Sequence, residues 1–193
     1  MAQKKPNTLF NMASSLFIVT CIAAVAMAGA YNLTKGPIEK VKKQKVEDAI
    51  RLVLPAFETI ERSAVLPYDG GNDSLILYKA FDTNGELVGT AVETFTNNGF
   101  SGHFKIMVGF LPDLTIHNTA VLEHKETPGL GDKMDAAKSD FSEQFKGKNP
   151  AKFKLKVDKD GGDVDAITAA TISSRGYCDA TDRAYQTIVQ IKE

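Results

Sequence analysis

An uncharged, largely apolar segment between Lys5 and Lys35 constrains the fold of this chain more than any other feature. A membrane-spanning helix needs about 20 predominantly apolar residues, and this segment is long enough to supply them. Residues 26–28 and 28–30 are also Ala-x-Ala sequences, which are typical of signal-peptide cleavage sites. The apolar run exceeds a usual signal-peptide core. We therefore favour a retained membrane anchor, with a cleaved signal peptide as the alternative.

The charges that flank this segment favour a cytoplasmic location for the rest of the chain. Only Lys4 and Lys5 precede the segment, whereas five lysines follow it, at positions 35, 40, 42, 43 and 45. The positive-inside rule keeps such a cluster in the cytoplasm, although long domains can translocate regardless of charge. The charges alone therefore favour the cytoplasmic side of the membrane for the rest of the chain.

The composition is that of a globular protein with no signature of nucleic-acid binding. The chain has 193 residues, 43% of them hydrophobic, and its net charge of −1 argues against a polyanionic partner. The two cysteines, Cys21 and Cys178, are far apart in sequence and form no disulfide framework. The three histidines lack paired metal-ligand spacing, so we expect no zinc or iron–sulfur site.

The order of the apolar segments predicts an α+β fold with one antiparallel sheet and flanking helices. Asn84 and Gly85 between two apolar runs predict a β-hairpin. The predicted strands are residues 75–81, 87–94, 104–110, 115–122 and 153–157. The predicted helices are residues 38–54, 133–145 and 169–191, and residues 59–73 and 97–102 are expected to be irregular. In the second helix, one face would carry Met134, Ala137, Phe141 and Phe145.

A glycine- and hydroxyl-rich stretch, residues 161–174, leads into the last predicted helix. Thr168 is a suitable N-cap, which would place Ala169, Ala170 and Thr171 in the first helical turn. The free N–H groups of such a turn attract an anion such as phosphate, and small side chains let it approach. Many helices begin with a threonine and bind nothing, so an ordinary helix start is the alternative.

A second candidate segment, residues 123–133, joins a predicted strand to a predicted helix. Pro128, Gly129 and Gly131 predict a turn whose backbone can come close to a bulky or planar group. Leu130 between the glycines is expected to be exposed unless a ligand covers it. An ordinary Pro-Gly turn is the alternative, and the nearby acidic residues are expected to form a solvated surface. These residues are Glu123, Glu126, Asp132 and Asp135.

Residues 165–174, Asp-Ala-Ile-Thr-Ala-Ala-Thr-Ile-Ser-Ser, resemble the flavinylation motif of the covalent FMN-binding domains. Such domains occur in the G subunit of Rnf electron-transport complexes and in the C subunit of sodium-pumping NADH:quinone oxidoreductases. The resemblance implies that FMN is joined through its phosphate to the hydroxyl of Thr171. It also implies that Thr168, Ala169, Ala170 and Ser174 contact the cofactor. Ala169 departs from the motif, which has glycine at that position; in a first helical turn this methyl would be sterically mild.

The sequence His-Lys-Glu-Thr-Pro-Gly-Leu-Gly at residues 124–131 resembles a second signature of the same family, in which this loop lies beside the isoalloxazine ring. The resemblance implies that the ring contacts Thr127, Gly129, Leu130 and Gly131. It also divides the chain into an N-terminal tip and transmembrane anchor at residues 1–34, a connecting helix and linker at 35–74, and an FMN-binding domain at 75–193.

The resemblance is closest to the Rnf G subunit and implies an electron carrier without catalytic residues of its own. Such a subunit relays electrons between ferredoxin and NAD in a complex that moves ions. The implied partners are the other membrane subunits and a flavin transferase that attaches FMN. The implied location is the cell inner membrane, with the soluble domain on the periplasmic side. The alternatives are the C subunit of a sodium pump and a membrane-anchored sensor or docking module that binds FMN without a covalent bond.

Overall fold

The computed structural model describes residues 8–68, 70–71 and 73–192. Lys4 and Lys5, on which part of the topology argument depends, lie outside the described residues. The chain divides into two compact units, Met1–Gln44 and Lys45–Glu193.

The first unit contains most of a long helix, α1, which spans Leu9–Val53. Within the described residues, α1 is the one helix long and apolar enough to cross a membrane, and none of its apolar window is buried. The sequence predicted a separate helix from residue 38, but α1 continues through Pro37. The lysine- and glutamate-rich segment after Pro37 has a high helix propensity, which favours continuation of the helix.

The second unit is a five-stranded antiparallel sheet packed between helices. Its strands follow one another in the order of the chain. They are β1 (Thr59–Val65), β2 (Leu75–Phe81), β3 (Leu87–Gly99), β4 (Gly102–Phe110) and β5 (Ile116–Glu123). The last helix, α2, spans Thr171–Lys192. The predicted α+β class with one antiparallel sheet is confirmed.

Each face of the sheet has its own apolar core. On one face, side chains such as Leu77 and Phe104 pack with α2 residues that include Tyr177 and Ala184. On the other face, Tyr78 and other sheet residues pack against the last turns of α1. Alternate residues of β2 thus enter opposite cores, as the period of two in a strand requires.

Two segments that were expected to be irregular form strand pairs instead. Residues 59–73 contain β1, whose side chains are nearly all exposed, so that no apolar alternation revealed it. Residues 97–102 close the β3–β4 hairpin, where Gly99 pairs with Gly102. A Cβ atom on Gly99 would lie 2.5 Å from the Gly102 carbonyl oxygen. The glycines therefore permit a tight hairpin and do not interrupt the strands.

The helix predicted at residues 133–145 is wrong. Two short 3-10 helices occupy this region, Gly131–Met134 and Phe141–Phe145. Asp135 accepts the Ala137 N–H, and the Ser139 hydroxyl accepts the Phe141 N–H. Such side-chain bonds compete with helix formation. The apolar residues Met134, Phe141 and Phe145 are buried as expected, whereas Ala137 is exposed.

The strand predicted at residues 153–157 is also absent from the described residues. Only Val157 forms a β-bridge, with Val164. The Lys154 N–H donates to the Asp163 carboxylate rather than to a neighbouring strand. The segment instead folds back on itself and leads into the turn before α2.

Candidate functional site

A tight turn follows β5, as the sequence predicted. The Leu130 N–H donates to the Thr127 carbonyl at 3.1 Å, which makes Pro128 and Gly129 the central residues. Gly129 has φ +78°, so the turn has proline at its second position and a left-handed glycine at its third. This is the residue pattern of a type II turn. Leu130 is 41% exposed, as expected.

A second turn of the same kind precedes α2. The Ala170 N–H donates to the Ile167 carbonyl at 2.9 Å. Ala169, in the third position, has φ +62°. Helix α2 therefore begins at Thr171, and the prediction that Thr168 caps it is wrong.

Ser174 explains why the chain turns before the helix starts. The Ile167 N–H donates to the Ser174 hydroxyl at 2.9 Å, and that hydroxyl donates to the Ala170 carbonyl at 3.1 Å. The Ser174 side chain is fully buried. It thus holds the turn against the first turn of α2.

Because Ala169 lies in the left-handed region, an alanine in place of the motif's glycine is costly at this position. The sequence placed this residue in a first helical turn, where an alanine methyl would be harmless. The left-handed region instead costs a non-glycine residue roughly 1–2 kcal/mol. Glycine, which the motif has here, avoids this cost.

The two turns line one cavity of about 290 Å³. Among the residues predicted to contact FMN, six line it: Thr127, Leu130, Gly131, Ala169, Ala170 and Thr171. Gly129 does not line the cavity, Thr168 lines a neighbouring depression, and Ser174 lies beneath the turn. The first turn of α2 has N–H groups without intrahelical acceptors, as every helix start does.

Four further residues line the cavity that were not predicted as contacts: Phe100, Glu126, Ile172 and Ser173. Phe100 lies at the tip of the β3–β4 hairpin and is 66% exposed, and Ile172 is 46% exposed. With Leu130 they give the cavity an apolar rim, which suits a planar ring system. The Gly-Phe-Ser-Gly sequence at residues 99–102 was the signal that could have identified Phe100.

Glu126 is a buried carboxylate in the wall of this cavity, with 5% of its surface exposed. Its Oε1 accepts the Ser101 N–H at 3.0 Å, and its Oε2 accepts the Ser173 hydroxyl at 2.6 Å. The expectation of a solvated acidic surface is wrong for Glu126 and for Asp132, which is 6% exposed. Spacing along the chain could not reveal the partners of Glu126, because both lie on other segments.

The first turns of α2 also carry an ion pair and a buried thiol. Arg175 donates two hydrogen bonds to the Asp160 carboxylate, at 2.7 and 2.8 Å. These bonds hold the pKa of Asp160 below its ordinary value. Burial raises the pKa of the Cys178 thiol to about 12, which keeps the thiol protonated and unreactive. Among the described residues, no group of three or more His, Cys, Asp or Glu side chains could hold a metal ion.

Comparison with known proteins places this site in an FMN-binding domain. Residues 99–186 match the family model of the FMN-binding domain. This span includes the β3–β4 hairpin tip, the Pro-Gly turn and most of α2, and hence every residue that lines the cavity.

The relatives place the whole chain in a narrower family. The chain is 34% identical over 184 residues to the G subunit of the ion-translocating oxidoreductase complex of Vibrio atlanticus, covering 91% of this chain and 88% of the relative. It is 33% identical over 174 residues to the G subunit of the same kind of complex in Methanosarcina acetivorans, covering 88% and 89%. The chain belongs to this family of G subunits, as the sequence motifs predicted. A crystal structure of Shewanella oneidensis NqrC is similar to 74% of the chain, with 25% identity and a TM-score of 0.49, and 73% of that protein is covered.

The residues present fit FMN. The cavity volume is close to the lower end of the range for small-molecule sites, about 300–1,000 Å³, and the cavity opens at its apolar rim. A Cβ atom on Gly131 would lie 2.5 Å from the Glu126 carboxylate, so a side chain at this position would displace the carboxylate from the cavity wall. The Thr171 hydroxyl stands at the helix start, where a phosphate is favoured. FMN supplies electron-accepting and electron-donating chemistry when bound.

Proposed function

We propose that this chain relays electrons within an ion-translocating oxidoreductase complex through an FMN whose phosphate is joined to the Thr171 hydroxyl. One observation carries the proposal: Thr171, the first residue of α2, lines the cavity together with residues of both turns. The relatives support it because they are subunits of such a complex.

The helix start is suited to hold the phosphodiester. The N–H groups of the first turn carry a partial positive charge, which stabilises an anion by about 0.3–1 kcal/mol at an exposed site. Thr168 and Ala169 are exposed, so an attaching enzyme can reach the turn. The attachment forms a bond from the Thr171 oxygen to the FMN phosphorus. It therefore needs an FMN donor whose phosphate carries a leaving group, and the hydroxyl proton is lost to a base.

The cavity is suited to hold the ring. Leu130, Phe100 and Ile172 present apolar surface at the rim, and covering the exposed part of one such side chain is worth on the order of 1 kcal/mol. These contacts orient the ring and exclude water from one side of it. They do not replace a covalent bond, which keeps the flavin with the protein after unfolding.

Fluorescence on a denaturing gel tests the attachment. Wild type co-expressed with a flavin transferase should give a fluorescent band, and Thr171→Ala should not. Thr168→Ala is the matched control, because it removes a neighbouring exposed hydroxyl and should leave the band. A flavin that separates from denatured wild type would favour the non-covalent sensor or docking module.

We further propose that α1 is retained as an anchor in the inner membrane and that the second unit faces the periplasm. The chain would then dock with other membrane subunits of the complex. Amino-terminal sequencing of membrane-extracted protein should find the uncleaved start, whereas a start near Gly29 or Tyr31 would show a cleaved signal peptide. Thr83→Cys, in the exposed β2–β3 turn, should react with an impermeant thiol reagent on intact cells. The wild-type chain is the control for its own two thiols, Cys21 in α1 and the buried Cys178.

A further inference from the structure

Glu126 connects the three segments that form the cavity. It stands immediately before Thr127, at the start of the Pro-Gly turn. Its two carboxylate oxygens accept the Ser101 N–H, beside Phe100, and the Ser173 hydroxyl, two residues after Thr171. Its own N–H donates to His124 Nδ1 at 3.2 Å. The hairpin tip, the turn and the helix start are therefore held together through one side chain.

The space around Glu126 is shaped for a carboxylate. A Cβ atom on Gly99 would lie 2.7 Å from its Oε1, and one on Gly131 would lie 2.5 Å from its Oε2. Contacts this short would displace the carboxylate, so a side chain at either position would disturb the placement of Glu126. The two glycines and the two donors define a built pocket for this group.

The charge of Glu126 is not balanced by an ion pair. Within the described residues, the ion pairs join other side chains, and none involves Glu126. An ionised carboxylate accepts at both oxygens, and here the Ser101 N–H and the Ser173 hydroxyl lie at hydrogen-bond distance from Oε1 and Oε2. An ionised Glu126 places its negative charge in the wall of the cavity, where solvent screens it poorly.

We propose that Glu126 both positions the flavin cavity and lowers the midpoint potential of the flavin held there. The inference rests on the proposed flavin site. Reduction adds electron density to the ring, and a fixed negative charge in the wall opposes that addition. Loss of the charge should therefore favour the reduced flavin on the order of tenfold, which is about 30 mV for a two-electron couple.

The Glu126→Gln variant removes the negative charge of the side chain but can keep the hydrogen bonds that hold the cavity together. The glutamine oxygen can accept the Ser101 N–H, and its amide can donate to the Ser173 hydroxyl, which is able to accept. Flavin content should therefore stay within about twofold of wild type, while the midpoint potential rises by about 30 mV or more. Glu126→Asp does the reverse: the charge stays, but the shorter side chain cannot reach both donors. It should keep a low potential and lose at least about half of the flavin.

Glu86→Gln is the control for charge alone. Glu86 lies in the β2–β3 turn, at the opposite end of β3 from Ser101, and its substitution should leave the potential unchanged. The potentials are measured by spectroelectrochemical titration of the purified full-length chain in detergent. Proteolysis of the flavin-free proteins gives a second readout, in which Glu126→Asp should be cut faster at the hairpin tip and the Pro-Gly turn.

The outcomes are distinct. An unchanged potential in flavin-loaded Glu126→Gln would overturn the role of the charge. Equal flavin content and equal proteolysis in Glu126→Asp and wild type would overturn the positioning role. Wild type that carries no flavin would instead contradict the proposed function, and the proteolysis experiment would still test the positioning role.

Discussion

Ala169 occupies a backbone conformation that glycine adopts more readily, with φ +62°. Ala169→Gly should remove a cost of roughly 1–2 kcal/mol. It should also lose about 0.4–1 kcal/mol, because glycine has more freedom in the unfolded chain. We expect a net stabilisation of about 0.5–1 kcal/mol, or a rise in Tm of a few degrees.

Ala170→Gly is the matched control for this substitution. Ala170 is adjacent, buried and outside the left-handed region, so glycine should only destabilise the protein there. Thermal unfolding of both variants and wild type measures the difference. A lower Tm for Ala169→Gly than for wild type would show that the turn carries no such strain. Faster flavin attachment to Ala169→Gly would indicate that the strained turn also slows the transferase.

Leu130 supplies the apolar contact of the Pro-Gly turn. Leu130→Ala should leave the proposed bond between the flavin and Thr171 intact, because this side chain takes no part in that bond. It should shift the visible absorption of the flavin, since part of the ring would then contact water. Leu66→Ala, which removes a more exposed leucine after β1 and outside the cavity, is the control. Identical spectra for wild type and Leu130→Ala would mean that this turn does not contact the ring.

Gly129 acts through its conformation and not through contact. A Cβ atom there would meet nothing within 4 Å, so the first added carbon of a side chain would not collide with the protein. Gly129→Val should nevertheless disturb the turn, because a β-branched residue is strongly disfavoured at φ +78°. The spectral shift should exceed that of Leu130→Ala.

Among the helices, strands and turns, the sequence correctly predicted those that are determined by neighbouring residues in the chain. The Asn-Gly hairpin, the Pro-Gly turn and the existence of strands β2 to β5 were correct, since each is encoded by adjacent residues, but β3 and β4 extend further toward the hairpin tip than predicted. The start of α2 was wrong because Ser174, several residues later, binds the preceding turn. Glu126 was misassigned because its partners lie on the β3–β4 hairpin and on α2. The missed residues are thus those whose role depends on contacts distant in sequence.

The Arg175–Asp160 pair joins α2 to the short 3-10 helix Asp158–Asp160. The pKa of Asp160 is lowered in the folded protein, chiefly by the hydrogen bond from Arg175. Its stabilising contribution is therefore complete above the ordinary pKa of 3.8 and is lost as the pH falls through the lower folded value. Asp160→Asn should be less stable than wild type at neutral pH, and the two should converge in strong acid. Denaturant titrations at several pH values measure this difference, with Asp158→Asn as the control.

At the scale of the molecule, the chain combines an apolar helix with an FMN-binding domain. Membership of the G-subunit family accounts for both parts in one protein that is anchored to a membrane. The cavity lies in the second unit, and its residues come from the hairpin tip, the Pro-Gly turn and the start of α2. A carrier of this kind needs the flavin to stay in place through many cycles of reduction and oxidation, which a covalent bond would ensure.

Mass spectrometry of the peptide that contains Thr171 tests the central claim most directly. Trypsin should release residues 160–175 from full-length protein isolated with its flavin, because Lys159 and Arg175 provide the two cleavage sites. We predict that this peptide carries the mass of FMN less one water and that fragmentation assigns the added mass to Thr171. An unmodified peptide from protein that is yellow before digestion, or FMN on a hydroxyl other than that of Thr171, would contradict the account.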